Sequence, residues 1–287
     1  MLEALLFVVA MLYSSVGHAG ASGYLMVMTL MGLSTAVMKP SSLALNILVA
    51  TIGIVQFGRA KLIPWPLVWP LILASIPAAW EGGRLTGSMP DVYYKPLLGL
   101  VLLFSAWRLL ASKGDAPTTG ARPHFAKFAL VGAAIGFLSG ITSTGGGIFL
   151  SPLVLFLGWV DMKRAAGLSV AFILANSISG LRGQMGAGAE FPPELGYWMV
   201  AVALGGLLGT QMGSRGLTGT TLKKLLAVVL VVAALKLIYA LLTAPPQSRQ
   251  EAAMGSVSQS GPHLYHSDTT TNGTAFIGVT PPFSTKS

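Results

Sequence analysis

The sequence predicts an all-α polytopic membrane protein made of two inverted repeats, each with a broken, re-entrant helical hairpin followed by three transmembrane helices. The composition is the first reason: 53% of the 287 residues are hydrophobic and 9% are charged, and the mean hydropathy is +0.70. A soluble domain has about 25% charged residues. The second reason is a series of apolar runs, and the third is a glycine-rich motif that occurs once in each half of the chain.

The first repeat covers residues 1–112. It begins with two apolar runs, 1–14 and 23–36, which are each too short to span a bilayer and are joined by the linker "SSVGHAGASG". These runs and their linker form the predicted hairpin, 1–36. Three longer runs, each close to the roughly 20 residues that a spanning helix needs, are predicted transmembrane helices at 40–57, 65–86 and 92–110.

The second repeat, 123–244, has the same order of elements. Its predicted hairpin, 125–160, contains the linker "GITSTGGG". Its predicted transmembrane helices lie at 165–181, 196–213 and 221–243. Residues 113–122 are a cytoplasmic linker between the halves. Residues 245–287 are polar and rich in Ser, Thr, Gly and Pro, which is typical of a disordered tail.

The hairpin interpretation rests on length and charge. Each pair of short runs with its linker covers about 36 residues, which as one straight helix would be roughly 54 Å long, against a hydrocarbon core of about 30 Å. With two hairpins, eleven Lys and Arg residues fall on one side of the membrane and five on the other, outside the tail. Basic loops mark the cytoplasmic side. We therefore expect a multi-pass protein of the bacterial inner (cell) membrane, with the eleven-residue side cytoplasmic and both termini periplasmic.

A recurring pattern relates the two halves. In the first half "GASGYLMV" precedes "LMGLSTAVMKPSSLAL", and about 124 to 127 residues later "GGGIFLSP" precedes "FLGWVDMKRAAGLSVA". Because each repeat has an odd number of spanning helices, the second repeat is expected to be inverted relative to the first. The two glycine-rich breaks would then meet near the middle of the membrane.

Two breaks that meet at mid-depth predict a substrate site. Non-helical backbone is tolerated there only where protein or water surrounds it. The N-terminal ends of half-helices favour an anion through their free N–H groups and their dipole, and hydroxyl groups add further donors. The candidate substrate-binding residues are Gly17, His18, Gly20, Ser22, Gly23, Asn46, Thr142, Ser143, Thr144, Gly145, Gly146, Gly147 and Asn176.

Structural roles stay open for the same residues. Small residues also occur where helices pack closely. Asn46, Asn176, Ser42 and Ser169 lie in spans next to the breaks, where they can line the substrate path or serve only as hydrogen-bond partners between helices. His18 is the only histidine predicted at membrane depth. With an ordinary pKa of about 6.5 it can carry a coupling proton during transport, or it can be purely structural.

Composition also limits the partners. The net charge of +9 comes from basic residues scattered at the ends of apolar runs, so we expect contact with the lipid bilayer and no nucleic acid. The chain has no cysteine, and His263 and His266 alone do not make a zinc site, so no metal and no cofactor are predicted. The sequence leaves homo-oligomerisation open.

The chain resembles the TauE/SafE family of sulfite exporter-like membrane proteins over about residues 5–242. The resemblance is carried by "GHAGASGYLMV" and "GITSTGGGIFLSPLV", and by the helix exits "FGRAKLIP" and "LRGQMGAG". It implies a secondary transporter for small anions, typically sulfite, organosulfonates or related sulfur-containing acids, working mostly as an exporter. His18, Ala19 and Ala21 occupy places that the family often fills with Gly or an aliphatic residue.

Two functions from other classes remain as alternatives. The sequence "GASG", Gly20 to Gly23, matches the G-x-S-G motif of rhomboid intramembrane proteases and would make Ser22 a nucleophile, which needs a nearby base. The repeated break has no role in an enzyme with one nucleophile, so we expect no enzyme. The second alternative is a membrane scaffold that transports nothing.

Overall fold

A computed structural model describes most of the chain. The described residues are 1–86, 103, 107, 125–186 and 189–242. The predicted helix at 92–110, apart from Leu103 and Trp107, lies outside them, as do the linker 113–122 and the tail 245–287. Within the described ranges every regular element is a helix and no strand occurs.

Nine α-helices are formed by the described residues. In chain order they are α1 (Leu2–Ser15), α2 (Ala21–Leu30), α3 (Thr35–Arg59), α4 (Trp65–Arg84), α5 (Phe125–Thr142), α6 (Gly147–Phe156), α7 (Met162–Met185), α8 (Leu195–Gln211) and α9 (Gly219–Leu242). A single π-helical turn, Met212–Gly216, continues α8. Short non-helical breaks separate α1 from α2 and α5 from α6.

The membrane character of the chain follows from these helices. Four helices of the described part are long and apolar enough to cross a bilayer, by length and composition: Thr35–Arg59, Phe125–Thr142, Met162–Met185 and Leu195–Gly216. The helices α1, α2 and α6 are apolar but shorter. The protein is thus all-helical in its described part, with several apolar helices of membrane-spanning length.

A row of glycines in α5 packs directly against the backbone of α4. Gly132, Gly136 and Gly140 recur every fourth residue and so lie on one face of α5. A Cβ at each position would overlap a carbonyl oxygen of α4. The three oxygens belong to Leu71, Ser75 and Ala79. Small residues of this kind let two helix backbones approach closely in a membrane, where packing drives association.

A second row of glycines packs α8 directly against the backbone of α1. Gly205, Gly209 and Gly213, on α8 and the π turn, have the same spacing and face carbonyl oxygens of α1. Those oxygens belong to Phe7, Met11 and Ser15. The first helix of each half of the chain therefore packs against the fourth helix of the other half.

The helices α3 and α7 pack against each other and against the two glycine-packed pairs, α4 with α5 and α1 with α8. They carry much of the buried polar surface that the structure describes. Its fully buried members on these two helices are Ser41, Ser42, Asn46, Ser169, Asn176 and Ser177. Polar groups on buried transmembrane helices mostly bond to one another or mark a function. A functional site is therefore expected along α3 and α7.

We predict that Gly140→Ala destabilises the fold while Gly196→Ala does not. The new methyl group at residue 140 would meet the backbone of Ala79, which cannot yield as a side chain would, so we expect a loss of about 1 to 3 kcal/mol. Gly196 is exposed on α8 with nothing within 4 Å of an added Cβ. Thermal melting of both variants in detergent measures the difference, and equal melting temperatures would show that α4 and α5 are not in tight contact.

Candidate functional site

The first break lies between α1 and α2, and its backbone is left-handed at three positions. The φ angles are +81° at Gly17, +52° at Ala19 and +115° at Gly20. Gly17 is also a point of close approach, because a Cβ there would overlap the backbone of Ala166 on α7, including its carbonyl oxygen. Residues other than glycine adopt such φ angles only at a cost in conformational energy, because their Cβ collides with the backbone. The sequence "VGHAG" therefore ends α1 and interrupts the helical backbone until α2 begins.

The second break lies between α5 and α6 and is held by side chains from α3 and α7. Its backbone is again left-handed at Ser143 (+56°), Gly145 (+74°) and Gly146 (+82°). The Ser143 carbonyl accepts a hydrogen bond from Ser42 Oγ on α3 at 3.2 Å. The Ser143 hydroxyl accepts one from Gln184 Nε2 on α7 at 2.7 Å. Both bonds are buried, so this break is fixed from two sides.

The amide of Asn46 connects the two breaks. Its Oδ1 accepts a hydrogen bond from the backbone N–H of Ala21 at 3.0 Å, at the first residue of α2. Its Nδ2 donates to Ser177 Oγ on α7 at 3.2 Å and lies 2.5 Å from where a Cβ on Gly145 would be. The side chain is fully buried on α3. A single amide thus lies against both interrupted helices.

His18 makes a second connection between the breaks. The residue is 2% exposed, and its Nε2 lies 2.9 Å from the carbonyl oxygen of Gly147, the first residue of α6. A carbonyl oxygen only accepts, so Nε2 carries the hydrogen and Nδ1 presents its lone pair. Among the described residues Nδ1 has no hydrogen-bond partner. The ring therefore joins the two breaks while keeping one open acceptor.

Two further buried polar atoms beside the second break lack partners in the described part of the chain. They are the Ser139 hydroxyl and Gln184 Oε1. Ser139 contacts the break, since its Cβ lies 3.2 Å from the position of a Cβ on Gly146. Unpaired buried polar groups are uncommon and call for an explanation, such as an unseen water or ion. Their position beside the break marks a place where a polar guest gains hydrogen bonds.

The electrostatics of this region come from dipoles and hydroxyl groups. No Asp, Glu, Lys or Arg is among the buried polar residues that the structure describes. The N-terminal ends of α2 and α6 both lie at the breaks, and their N-cap residues, Gly20 and Gly146, have no side chain that could cap the first turn. At α2 the Asn46 amide takes that place for the Ala21 N–H. The positive end of a helix dipole favours an anion.

The thirteen predicted residues fall into two groups in the structure. His18, Asn46, Ser143, Gly145 and Gly147 come together where the breaks meet. Thr142 and Thr144 share a hydrogen bond of 2.8 Å at the edge of the second break. The remaining predicted residues are placed mainly against apolar or helical neighbours.

The glycines of that second group serve close packing. A Cβ on Gly20 would meet the Tyr24 ring, one on Gly23 would overlap Val9, and one on Gly146 would meet the Phe172 ring. Asn176 Nδ2 donates within its own helix, to the Phe172 carbonyl at 2.8 Å. Ser22 is 6% exposed, and His18 Nδ1 receives no hydrogen bond from it. Gly17 approaches the backbone of Ala166 on α7 and not the second break.

Two residues at the meeting point were not predicted to belong to the site. They are Ser177 and Gln184, whereas Ser42 was predicted to lie next to the breaks. Ser177 follows Asn176 directly, and one residue along a helix turns the side chain by about 100°. Sequence position favours neither neighbour, but only Ser177 faces Asn46. The sequence feature that could have pointed to Gln184 is a polar side chain within a predominantly apolar helix, as it did for Ser42.

These features define a class. An all-helical, multi-pass membrane protein whose interrupted helices meet at a buried, uncharged polar centre has the organisation of a membrane transporter. The chain belongs to the sulfite exporter TauE/SafE family, whose model matches residues 2–237. The resemblance read from the sequence is thereby confirmed.

Curated relatives carry transporter names. The chain is 38% identical over 237 residues to a "Probable membrane transporter protein" of Sinorhizobium fredii, covering 81% of this chain and 95% of that protein. It is 29% identical over 155 residues to a "Probable membrane transporter protein" of Methanocaldococcus jannaschii, covering 53% of this chain and 58% of that one. No solved structure matches the chain.

We predict that Asn46→Leu destabilises the protein and that Ser41→Ala does not. Leucine would leave the Ala21 N–H and the Ser177 hydroxyl buried without this partner, at about 1 to 3 kcal/mol for each group. Ser41 is fully buried on the same helix, and its hydroxyl has no hydrogen-bond partner among the described residues. Melting temperatures in detergent compare the two, and a Ser41→Ala loss as large as that of Asn46→Leu would contradict the role given to Asn46.

Proposed function

We propose that this protein is a secondary transporter that exports a small oxyanion, sulfite or an organosulfonate, across the bacterial cell membrane. The observation that carries the proposal is the meeting of two interrupted helices at Asn46. The starts of α2 and α6 lie on either side of this amide. Family membership supports transport, and the family's description names sulfite export.

Dipoles and uncharged donors fit a small oxyanion. Two helix N-termini supply partial positive charge and N–H groups, and the Asn46 amide and the Ser143 hydroxyl supply hydrogen bonds. The Thr144 hydroxyl donates to an anion when it turns away from Thr142. A neutral site of this kind holds an anion without a fixed counter-charge. Release then requires no ion pair with a permanently charged side chain to be broken.

We further propose that both broken segments are re-entrant hairpins in inverted repeats. Helix α1 has 14 residues and α2 has 10, which at 1.5 Å per residue gives roughly 21 Å and 15 Å, short of a hydrocarbon core of about 30 Å. The exchanged packing of α1 on α8 and of α5 on α4 agrees with two related halves. The basic residues at the end of α3 and after α8 then lie on the cytoplasmic side, and both termini are periplasmic.

His18 is our candidate for a coupling proton. Its Nε2–H bond to the Gly147 carbonyl leaves Nδ1 as an open acceptor at the start of α6. A proton taken up there would place a positive charge beside the proposed anion. Proton and anion would then favour each other's binding.

We predict that Thr144→Val lowers sulfite flux by about tenfold or more with little change in stability. The change keeps the shape of the side chain and removes a hydroxyl, and a hydrogen bond to a charged group is worth about 1.5 to 3 kcal/mol. Thr29→Val is the matched control, because the Thr29 hydroxyl bonds at 2.6 Å to the Leu25 carbonyl within α2. Flux is measured in proteoliposomes.

The outcome separates the alternatives. Unchanged flux of sulfite and of organosulfonates in Thr144→Val, with the parent active, would remove the second break from the anion path. If the parent itself moves no oxyanion, a membrane scaffold becomes the better interpretation. A melting-temperature series with sulfite, sulfate, sulfoacetate and taurine identifies the preferred anion, since a ligand of the folded state raises its stability.

We predict that His18→Gln abolishes the response of transport to a pH gradient. Glutamine keeps an N–H donor for the Gly147 carbonyl and has no group that takes up a proton near neutral pH. Downhill flux of sulfite should continue, while acceleration by an imposed pH gradient should disappear. A variant that responds to the gradient as strongly as the parent would leave His18 with a structural role only.

A further inference from the structure

A lateral cleft lies between the second half of α3 and the end of α8, away from the meeting point of the breaks. Its volume is ≈ 390 Å³. Arg59, in the last turn of α3, and Arg215, on the π turn after α8, both line it. The two arginines lie at the same end of the cleft, because both helices reach their C-terminal ends there.

The arginines have no acidic partner in the described part of the chain. The side-chain ion pairs described are those of Arg84 with Glu81 and of Arg164 with Asp161, and none of the residues lining the cleft is acidic. Gln211 adds an amide on the same side. This end of the cleft therefore has two positive charges, hydrogen-bond donors and no internal counter-ion.

The other end of the cleft is apolar and opens sideways. It is lined by Ile52, Val55 and Leu207, and by Thr51, whose hydroxyl donates within α3 to the Ile47 carbonyl. Val55 is 46% exposed and Leu207 is 45% exposed, and the exposed apolar face continues along α8 through Leu204 and Val200. In a multi-pass membrane protein such a face contacts hydrocarbon. The cleft thus joins a lipid-facing apolar wall to a cationic end.

The contact between α4 and α7 corresponds, in the other half of the chain, to the contact between α8 and α3. The α4–α7 contact is closed at the ends of its helices, whereas the α3–α8 contact is open there. At the closed contact a Cβ on Gly83 would overlap the Gly180 carbonyl oxygen, and one on Gly183 would overlap that of Trp80, so the two backbones touch to the ends of the helices. Between α3 and α8 a 3.1 Å hydrogen bond runs from Gln56 Nε2 to the Leu207 carbonyl, and both residues line the cleft. Around that bond the helices leave room for a ligand.

We propose that this cleft binds an anionic phospholipid, with its phosphate between Arg59 and Arg215 and the start of an acyl chain along Val55 and Leu207. Arginine forms paired hydrogen bonds with phosphate oxygens. Basic pockets between transmembrane helices are typical places for anionic head groups. The lateral apolar opening distinguishes a lipid from a water-soluble anion, which gains nothing from it. The site is separate from the proposed transport site and goes beyond the proposed function.

The test uses the full-length protein in detergent, titrated with phosphatidylglycerol, with phosphatidylcholine of the same chains, or with glycerol 3-phosphate. Binding is followed by native mass spectrometry and by the melting temperature. Phosphatidylglycerol should bind and stabilise, and the other two should not at the same concentration. In the double variant Arg59→Gln with Arg215→Gln, the apparent Kd for phosphatidylglycerol should rise by about 25-fold, about fivefold for each arginine.

Two further variants make the test specific. Arg84→Gln with Arg182→Gln removes two exposed arginines at the closed α4–α7 contact and should leave the Kd unchanged. Val55→Trp fills the apolar part with both charges kept and should also weaken binding. Equal binding of phosphatidylcholine, equal losses in the two double variants, or full binding by either cleft variant would overturn the proposal. Stabilisation by glycerol 3-phosphate as large as that by phosphatidylglycerol would overturn it in favour of a soluble-anion site.

Discussion

The amide of Asn46 is the contact on which the organisation of the interior depends. Two helices are interrupted inside the protein, and backbone N–H groups exposed by an interruption need partners wherever water is excluded. Asn46 accepts from the Ala21 N–H at one break and donates to Ser177 beside the other. One side chain on a continuous helix thus bonds to the start of α2 and packs against Gly145 of the second break, which places the two breaks next to each other.

The glycine rows provide the frame that makes this arrangement possible. In a bilayer, apolar side chains gain little by leaving lipid for protein, so helix association depends on close packing. The rows on α5 and α8 bring each helix against the backbone of a helix from the other half of the chain. The ends of α1 and α5, where the breaks begin, are held by these contacts. The breaks can therefore lack helical structure without the surrounding helices separating.

The sequence was most informative where chemistry is local. Composition predicted the membrane class, glycine clusters located the breaks, and the paired motifs predicted the family. Contacts between helices could not be predicted, because they depend on how one helix is rotated against another. Asn176 and Ser177 show this: they are adjacent and both polar, yet Ser177 bonds to Asn46 while Asn176 bonds within α7. The spacing of Gly132, Gly136 and Gly140 was visible, but not that its partner is α4.

The two breaks are supported differently, and this bears on the proposed transport cycle. The first is held by Asn46 and His18, and the second by Ser42 and Gln184. Each such hydrogen bond contributes a net of about 0.5 to 1.5 kcal/mol, which hydrogen bonds to a bound oxyanion can replace. The glycine contacts involve backbone atoms and cannot be exchanged in that way. Under the proposed function, rearrangement would therefore be confined to the polar centre and its breaks, while α1 with α8 and α4 with α5 move as fixed pairs.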